Sequence, residues 1–434
     1  MTQATPIATP TVASPQAQER GAGAASARRV SLAEQGLISG SNFMVLIAAA
    51  RVLPKEELGA FSFALATLLL FQGLIQRPFV LLPMSTTGKS RDESIQNLEF
   101  WRWTQAGTMA VIVALLGAFC LVARAFLDAW IADSALVALI VVVPSFYMEF
   151  LRRVVLLTGT MRRLLLMGFA YAGTIAAFGA VALVSGRQPG LFAFGLCLGA
   201  AGLASCLVSG QRPLFRGKFQ HPLGWTLPSY WRFGRWSVGA SLGSAGYSFG
   251  IQSILAAMAG PVALAGYAAA RNLVQPVSTL MQAMDNVDKA RAGRAFAQAG
   301  MPGLWAVVRH SWTWLFMLAM PYFVAVAALA DWILPLVYGS KYGDIGDQVR
   351  LWCVVMAAMI VVQPLETALY AVRRPDLLFY GRLPSACLAM LLAPALILHW
   401  NEKGALVAVV LGWCLAGLAA AWQLRRVSSP TATA

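Results

Sequence analysis

Twelve stretches of this chain, spread from residue 31 to residue 424, are each apolar over about 20 residues, the length that crosses a bilayer. They lie at about 31–50, 58–83, 101–123, 134–157, 164–185 and 190–210, and again at about 236–258, 261–285, 305–330, 349–372, 376–399 and 403–424. Only 12% of the residues are charged and the mean hydropathy is +0.66, whereas soluble domains carry roughly 25% charged residues. The chain therefore reads as an all-α integral membrane protein with twelve transmembrane helices, not as a globular enzyme with an anchor.

The formal charge is +15. A nucleic-acid partner is excluded by how that charge is spread, because the basic residues recur in short segments between apolar spans and do not gather on one exposed domain. Spacing of this kind encodes topology. With the N-terminus in the cytoplasm, the cytoplasmic segments hold 24 of the 33 Lys and Arg residues and the opposite side holds seven, with Arg77 and Arg271 inside spans. Both termini come out cytoplasmic. Residues 1–30 are expected to be a disordered cytoplasmic tail and not a cleaved signal peptide, because the apolar run after Arg28 and Arg29 continues as a full span. Residues 31–210 form the first six-helix bundle, 211–235 a basic and aromatic interfacial connector, 236–424 the second bundle, and 425–434 a short tail. In the connector, Trp225, Tyr230 and Trp231 accompany five basic residues, which suits anchoring at the headgroup level; recruitment of an anionic lipid is the sharper alternative. Residues 290–300, with Arg291 and Arg294, read as an amphipathic surface helix.

The halves look related. Gly59 near the start of span two matches Gly266 near the start of span eight, each following a proline (Pro54, Pro261), and the Arg162-Arg163 end of span four matches Arg373-Arg374 after span ten. The offsets nearly agree, and six spans per half give both halves one orientation, which makes a parallel repeat about an axis along the membrane normal. No loop is large enough for a catalytic domain. The six cysteines sit in apolar runs and the three histidines are scattered, so neither a disulfide framework nor a metal site is implied.

Span eight carries the most informative residue. Arg271 lies nine residues past Val262, ~13 Å in at 1.5 Å per residue and so near the midplane. A charge at that depth is costly and faces a polar interior. Gln275 and Pro276 follow, and the proline frees a backbone carbonyl that water or neighbours must satisfy. A guanidinium there fits phosphate oxygens two at a time; the structural alternative is an arginine paired with a carboxylate or with helix carbonyls.

Certain runs resemble a known family. Ala49 to Phe61 is similar to the first outer loop of polysaccharide flippases, Gly260 to Pro276 to their eighth helix, and Phe233-Gly234-Arg235-Trp236 to the entry of their seventh. The likeness is to the lipid-linked oligosaccharide flippases of the MOP (multidrug/oligosaccharidyl-lipid/polysaccharide) superfamily, over residues 31–424. It implies a MATE-like pair of pseudo-symmetric six-helix bundles around a central cavity. It also implies alternating access, carrying a lipid-diphosphate-linked glycan between the leaflets of a bacterial inner membrane, with polysaccharide polymerase or export machinery as pathway partners. Cavity cations meet the diphosphate in such relatives, which points to Arg271, Arg77, Arg152 and Arg153, with Gln275 beside the first. Drug-exporting members carry acids in the first or seventh helix. Here span one has only Glu34, near its cytoplasmic mouth, and span seven has none. A proton- or sodium-coupled drug or cation antiporter is the alternative reading, and no other cofactor is expected. A membrane-bound glycan ligase or polymerase would need large outer loops, and a purely structural scaffold would not explain Arg271.

Each remaining position carries two readings. Arg77, before Pro78, can snorkel to the interface or line the cavity. Glu149 stands three and four residues before Arg152 and Arg153, so the three are either a neutralised acid or a basic rim. Glu366, behind Pro364, has no cation within a turn of its helix and is either a proton-coupling carboxylate or one arm of a salt bridge across the cavity, with Arg271 as partner. Glu149 is the second coupling candidate. Pro78, Pro276 and Pro364 mark the bends a gate requires.

Overall fold

The computed structural model describes residues 15–86, 97–158, 160–211, 238–239, 241–372 and 375–428. The expected connector falls almost wholly outside them. Among the described residues there is no strand. In the first half, α1 runs Pro15–Val52. Then α2, Lys55–Phe71, continues as a π-helix over Gln72–Leu81 and as an α-helix over Leu82–Thr86. Next come α3 (Leu98–Phe126), α4 (Ala129–Thr158), α5 (Met161–Ser185) and α6 (Leu191–Val208). The first helix thus starts earlier than the expected 31; the added residues are rich in Ala, Gln and Arg, good helix formers, behind a proline suited to a first turn.

The second half opens on a π-helical turn, Leu242–Gly246, and then a continuous helical run, Tyr247–Ala328. That run is broken where Gly260 takes φ 78° and Gly300 takes φ 60°, values that glycine adopts without steric cost. Pro261, whose missing N–H costs nothing in a first turn, then starts a new helix. The breaks give α7 (242–259), α8 (261–299) and α9 (301–328), so the expected surface helix at 290–300 is the end of α8, stopped at Gly300. Beyond them lie α10 (Ala330–Tyr338), α11 (Gly346–Ala371), α12 (Pro375–Trp400) and α13 (Glu402–Ser428). Sequence reading treats 331–348 as loop, but α10 buries Leu334 and Tyr338 there.

Eleven described segments are long and apolar enough to cross a membrane, and one of them, Leu242–Gln282, divides at Gly260 into two, which makes twelve crossings. In the first bundle α1 packs on α5, α4 on α3 and α6, and α5 on α6; in the second, α11 packs on the 247–328 helices and on α13, and α12 on α13. Apolar side chains such as Leu121, Phe126, Val184, Leu207, Leu391 and Leu398 stand exposed around the outside. On a soluble protein that much exposed apolar surface would be a liability; on a bundle in lipid it is the solvated face.

The halves meet along α2 and the 247–328 helices. Gly59 lies so close to the Pro261 backbone that an added Cβ would fall 2.0 Å from its carbonyl oxygen. Phe63 and Phe249 pack with ring centroids 5.4 Å apart. Deeper, Gly73 of the first π-helical stretch meets Ala245 of the second. The face carrying the α1–α2 turn, which the Lys and Arg distribution assigns to the outside, is closed by further ties. Arg51 donates through Nε to the Val337 carbonyl at 2.6 Å and through Nη2 to that of Leu336. Lys341 donates back to the Arg51 and Leu53 carbonyls at 3.2 and 3.4 Å. Each cation thus caps the carbonyl end of the helix opposite. Lys55 lies 3.8 Å from Asp344 and over the Tyr342 ring.

Candidate functional site

One face of α8 is held and the other is open. On the held side, four side chains reach its backbone carbonyls. Trp352 Nε1 donates to Tyr267 O at 3.1 Å, Tyr338 Oη to Ala269 O at 3.0 Å, Tyr322 Oη to Leu273 O at 2.5 Å, and Gln363 Nε2 to Met281 O at 2.9 Å. On the open side Arg271, Gln275, Thr279 and Gln282 follow one another at spacings of three and four residues and are all partly or fully exposed, while Ala270, Val274, Val277 and Met281 are buried. Such spacing puts the four on one stripe. The stripe runs along α8 from Arg271 toward its C-terminal end.

Arg271 has no carboxylate or hydrogen-bond partner among the described residues. Its guanidinium carbon lies 5.8 Å from the centroid of the Trp352 ring, and Trp352 is itself fixed edge-on to Tyr267 at 5.0 Å. An aromatic face attracts a cation without neutralising it. The donors stay available to an anion with two acceptor oxygens.

Arg152 is the opposite case. Its Nε and Nη2 take the two carboxylate oxygens of Glu34 at 2.6 and 2.7 Å, Nη1 takes Glu149 at 2.5 Å, and Nη2 also reaches Gln35. All three nitrogens are engaged, and Glu34 is fully buried. Arg153 is exposed and stands 3.8 Å from the other Glu149 oxygen. Of the two readings for this trio, the geometry is that of neutralised acids. The third participant, Glu34, comes from α1, 118 residues away in sequence.

Glu366 pairs with Arg382 of α12 at 3.4 Å and not with Arg271. Arg382 also lies over the Trp413 ring of α13, 4.6 Å from its centroid. Beside them Asp285 binds Lys289 at 2.5 Å and accepts from the Thr367 hydroxyl at 2.6 Å. Each bundle thus carries an ion-pair cluster, Glu34–Arg152–Glu149 in the first and Glu366–Arg382 in the second. Sequence counting places Arg382 with the loop cations; the signal for its role was its position inside the first turns of span eleven.

Arg77 is exposed, within the π-helical stretch, and without an ion pair among the described residues. Its neighbour Gln76 is fully buried and donates to Phe146 O at 2.6 Å, which ties α2 to α4. Pro78 is buried in the same stretch. Pro276 and Pro364 share one arrangement: in each, the carbonyl three residues before the proline accepts from a ring on α9, Leu273 from Tyr322 and Val361 from Trp312 at 2.9 Å. The second π-helical turn, Leu242–Gly246, escapes sequence reading, although Gly239, Gly243 and Gly246 advertise it.

Neither a protein-family model nor a curated protein sequence matches the chain. Solved structures do. An inward-facing multidrug resistance MATE family transporter of the MOP superfamily superposes with TM-score 0.67 at 14% identity, over 94% of this chain and 96% of that one. The fold is that of MATE transporters. An outward-facing multidrug resistance MATE transporter gives TM-score 0.57 at 13% identity, over 94% and 96% of the two chains. A MOP superfamily transporter from Pyrococcus furiosus, described as having a binding pocket of reversed polarity, gives 0.60 at 13% identity, over 94% and 95%. Set in the MATE fold, α1 to α6 and α7 to α13 are its two lobes, and the Arg271 stripe lies on the second. Among the described residues no group of three or more His, Cys, Asp or Glu side chains is placed to hold a metal ion.

Proposed function

We propose that this chain is a flippase carrying a lipid-diphosphate-linked oligosaccharide, of the repeat-unit type used for surface polysaccharides, from the cytoplasmic to the outer leaflet of a bacterial inner membrane. Both termini are cytoplasmic, transport proceeds by alternating access, and polysaccharide polymerase or export machinery takes the product. One observation carries the reading: the carboxylates Glu34, Glu149 and Glu366 each have an arginine, whereas Arg271 has no carboxylate among the described residues. The unneutralised charge facing the α8 stripe is positive, and its natural counterpart is an anionic passenger. Gln275 extends the contact toward sugar hydroxyls, and exposed Arg77 and Arg153 attract the headgroup at the cytoplasmic side. Glu366 is the coupling carboxylate, because a proton on it dissolves the pair with Arg382. Pro78, Pro276 and Pro364 supply the bends.

The alternative is a proton- or sodium-coupled antiporter for cationic drugs. It is favoured by the likeness to multidrug transporters; the Pyrococcus furiosus transporter of the same fold, whose binding pocket is described as of reversed polarity, supports keeping the flippase reading beside it. The test is complementation of a deletion strain. Arg271→Ala should abolish surface polysaccharide and accumulate the lipid-linked intermediate at unchanged protein abundance. Arg271→Lys, which keeps a point charge without the planar fork, should retain part of the export. Normal export by Arg271→Ala, or export of lipophilic cations and not lipid-linked sugar by the reconstituted protein, would sink the reading.

A further inference from the structure

The helices along which the halves meet carry almost no charge in their apolar lengths. From Leu58 to Thr86 on α2, through the whole of α7, and from Pro261 to Met284 on α8, the charged residues are Arg77 and Arg271 alone. Neither is paired with a carboxylate among the described residues, whereas Arg102, Arg152 and Arg382 each are. Neutral polar side chains accompany the two. Gln72 precedes Arg77 by five residues within the π-helical stretch, so the two share a face. Gln275, Thr279 and Gln282 follow Arg271 along α8. All four are at least partly exposed, and none of their side chains has a hydrogen-bond partner among the described residues. Other glutamines spend their amides inside the fold: Gln35 on Ser39, Gln252 on Ser248, Gln363 on the Met281 carbonyl.

We infer that the glycan this chain carries is uncharged, a neutral oligosaccharide of hydroxyl- and acetamido-bearing sugars whose only negative charge is the diphosphate that links it to lipid. The inference rests on the flippase reading and narrows its substrate. Charge matching is the first argument. A diphosphate esterified at both ends carries two negative charges, and the helices between the halves offer two unpaired arginines, one from each half. A carboxylate-bearing sugar would bring a further charge to a stretch with no cation left, and an unpaired charge away from water is costly. The chemistry of the stripe is the second. Each glutamine amide presents donors and an acceptor, and the threonine hydroxyl presents both in one group, which matches sugar hydroxyls and acetamides without asking for a charge. Its length is the third: from Arg271 to Gln282 it runs ~17 Å at 1.5 Å per residue, room for several sugar rings beyond the phosphates.

The experiment uses the full chain in phosphatidylethanolamine/phosphatidylglycerol proteoliposomes and a minimal pair of probes. One is a polyprenyl diphosphate bearing a fluorescent trisaccharide of N-acetylglucosamine and glucose; the other is the same molecule with its terminal glucose oxidised to glucuronate. Movement across the bilayer is read by an impermeant quencher. The wild type should move the neutral probe about tenfold faster, the scale of one charged hydrogen bond. Arg271→Ala should slow both probes by the same factor, because both carry the diphosphate. Gln275→Lys and Gln282→Lys, which place a cation on an exposed position of the stripe, should each raise the glucuronate rate relative to the neutral one by about the same tenfold, a gain that a misfolded variant cannot show. Equal rates in the wild type, or faster movement of the glucuronate probe, overturn the neutral-glycan inference and leave the flippase reading standing. An unchanged preference in both lysine variants overturns it too, because the glycan then does not lie along the stripe. Movement of neither probe by the wild type overturns the flippase reading with it.

Discussion

Two arginines within apolar helices, Arg152 and Arg271, are treated in opposite ways. Arg152 is saturated by Glu34, Glu149 and Gln35, whereas Arg271 rests on an aromatic ring. Their removal should separate stability from function. Arg152→Ala strands the fully buried Glu34 carboxylate and leaves Glu149 only its 3.8 Å contact with Arg153, and should cost about 3–5 kcal/mol, as breaking a buried pair does. Arg271→Ala loses only a cation–π contact of about 0.5–2 kcal/mol. Thermal unfolding of the purified variants checks the contrast: a large drop for Arg152→Ala, a small one for Arg271→Ala, and loss of export in both. Equal drops would make Arg271 structural.

At the scale of the helix, prolines alone do not make a bend stable. Pro276 and Pro364 each remove the donor to the carbonyl four residues back, and Tyr322 and Trp312 bond the carbonyl next to it, Leu273 and Val361, which fastens the same turn to α9. Tyr322→Phe and Trp312→Phe should each cost about 1 kcal/mol, the net value of one hydrogen bond, and should speed amide exchange in the turn before the proline they serve. This is also where the reading from residues runs out. The spans, their number and the depth of Arg271 follow from hydropathy and from 1.5 Å per residue, both local quantities. The prolines are visible for the same reason. The donors are not, because they lie 49 residues along the chain from the carbonyls they meet. Glu34 finds Arg152 across a longer separation, and Glu366 finds Arg382 on the next helix. The π-helical stretches of α2 and α7 meet at Gly73 and Ala245, a contact between halves that no local pattern announces. Pattern reports faces and depths, while partners are set by packing between helices.

For the whole molecule, the outer closure is the state to perturb. Its cations are bound to exposed carbonyls and to one exposed carboxylate, so salt should weaken it. Gly59→Val places a side chain into the Pro261 carbonyl and should wedge α2 from α8. A Ser62→Cys reporter, buried in the closed state, should then react faster with an impermeant maleimide added from outside. Arg51→Ala/Lys341→Ala should act in the same direction and add to it. Unchanged labelling in both would mean that these ties do not govern access. The pair of ring donors on α9 bears on how the second lobe moves. Because one helix donates to both α8 and α11 just ahead of their prolines, neither turn shifts alone without losing its tie to α9. The lobe is therefore ganged, and Arg271 travels with the block that carries it, like a fixture on a tilting wall.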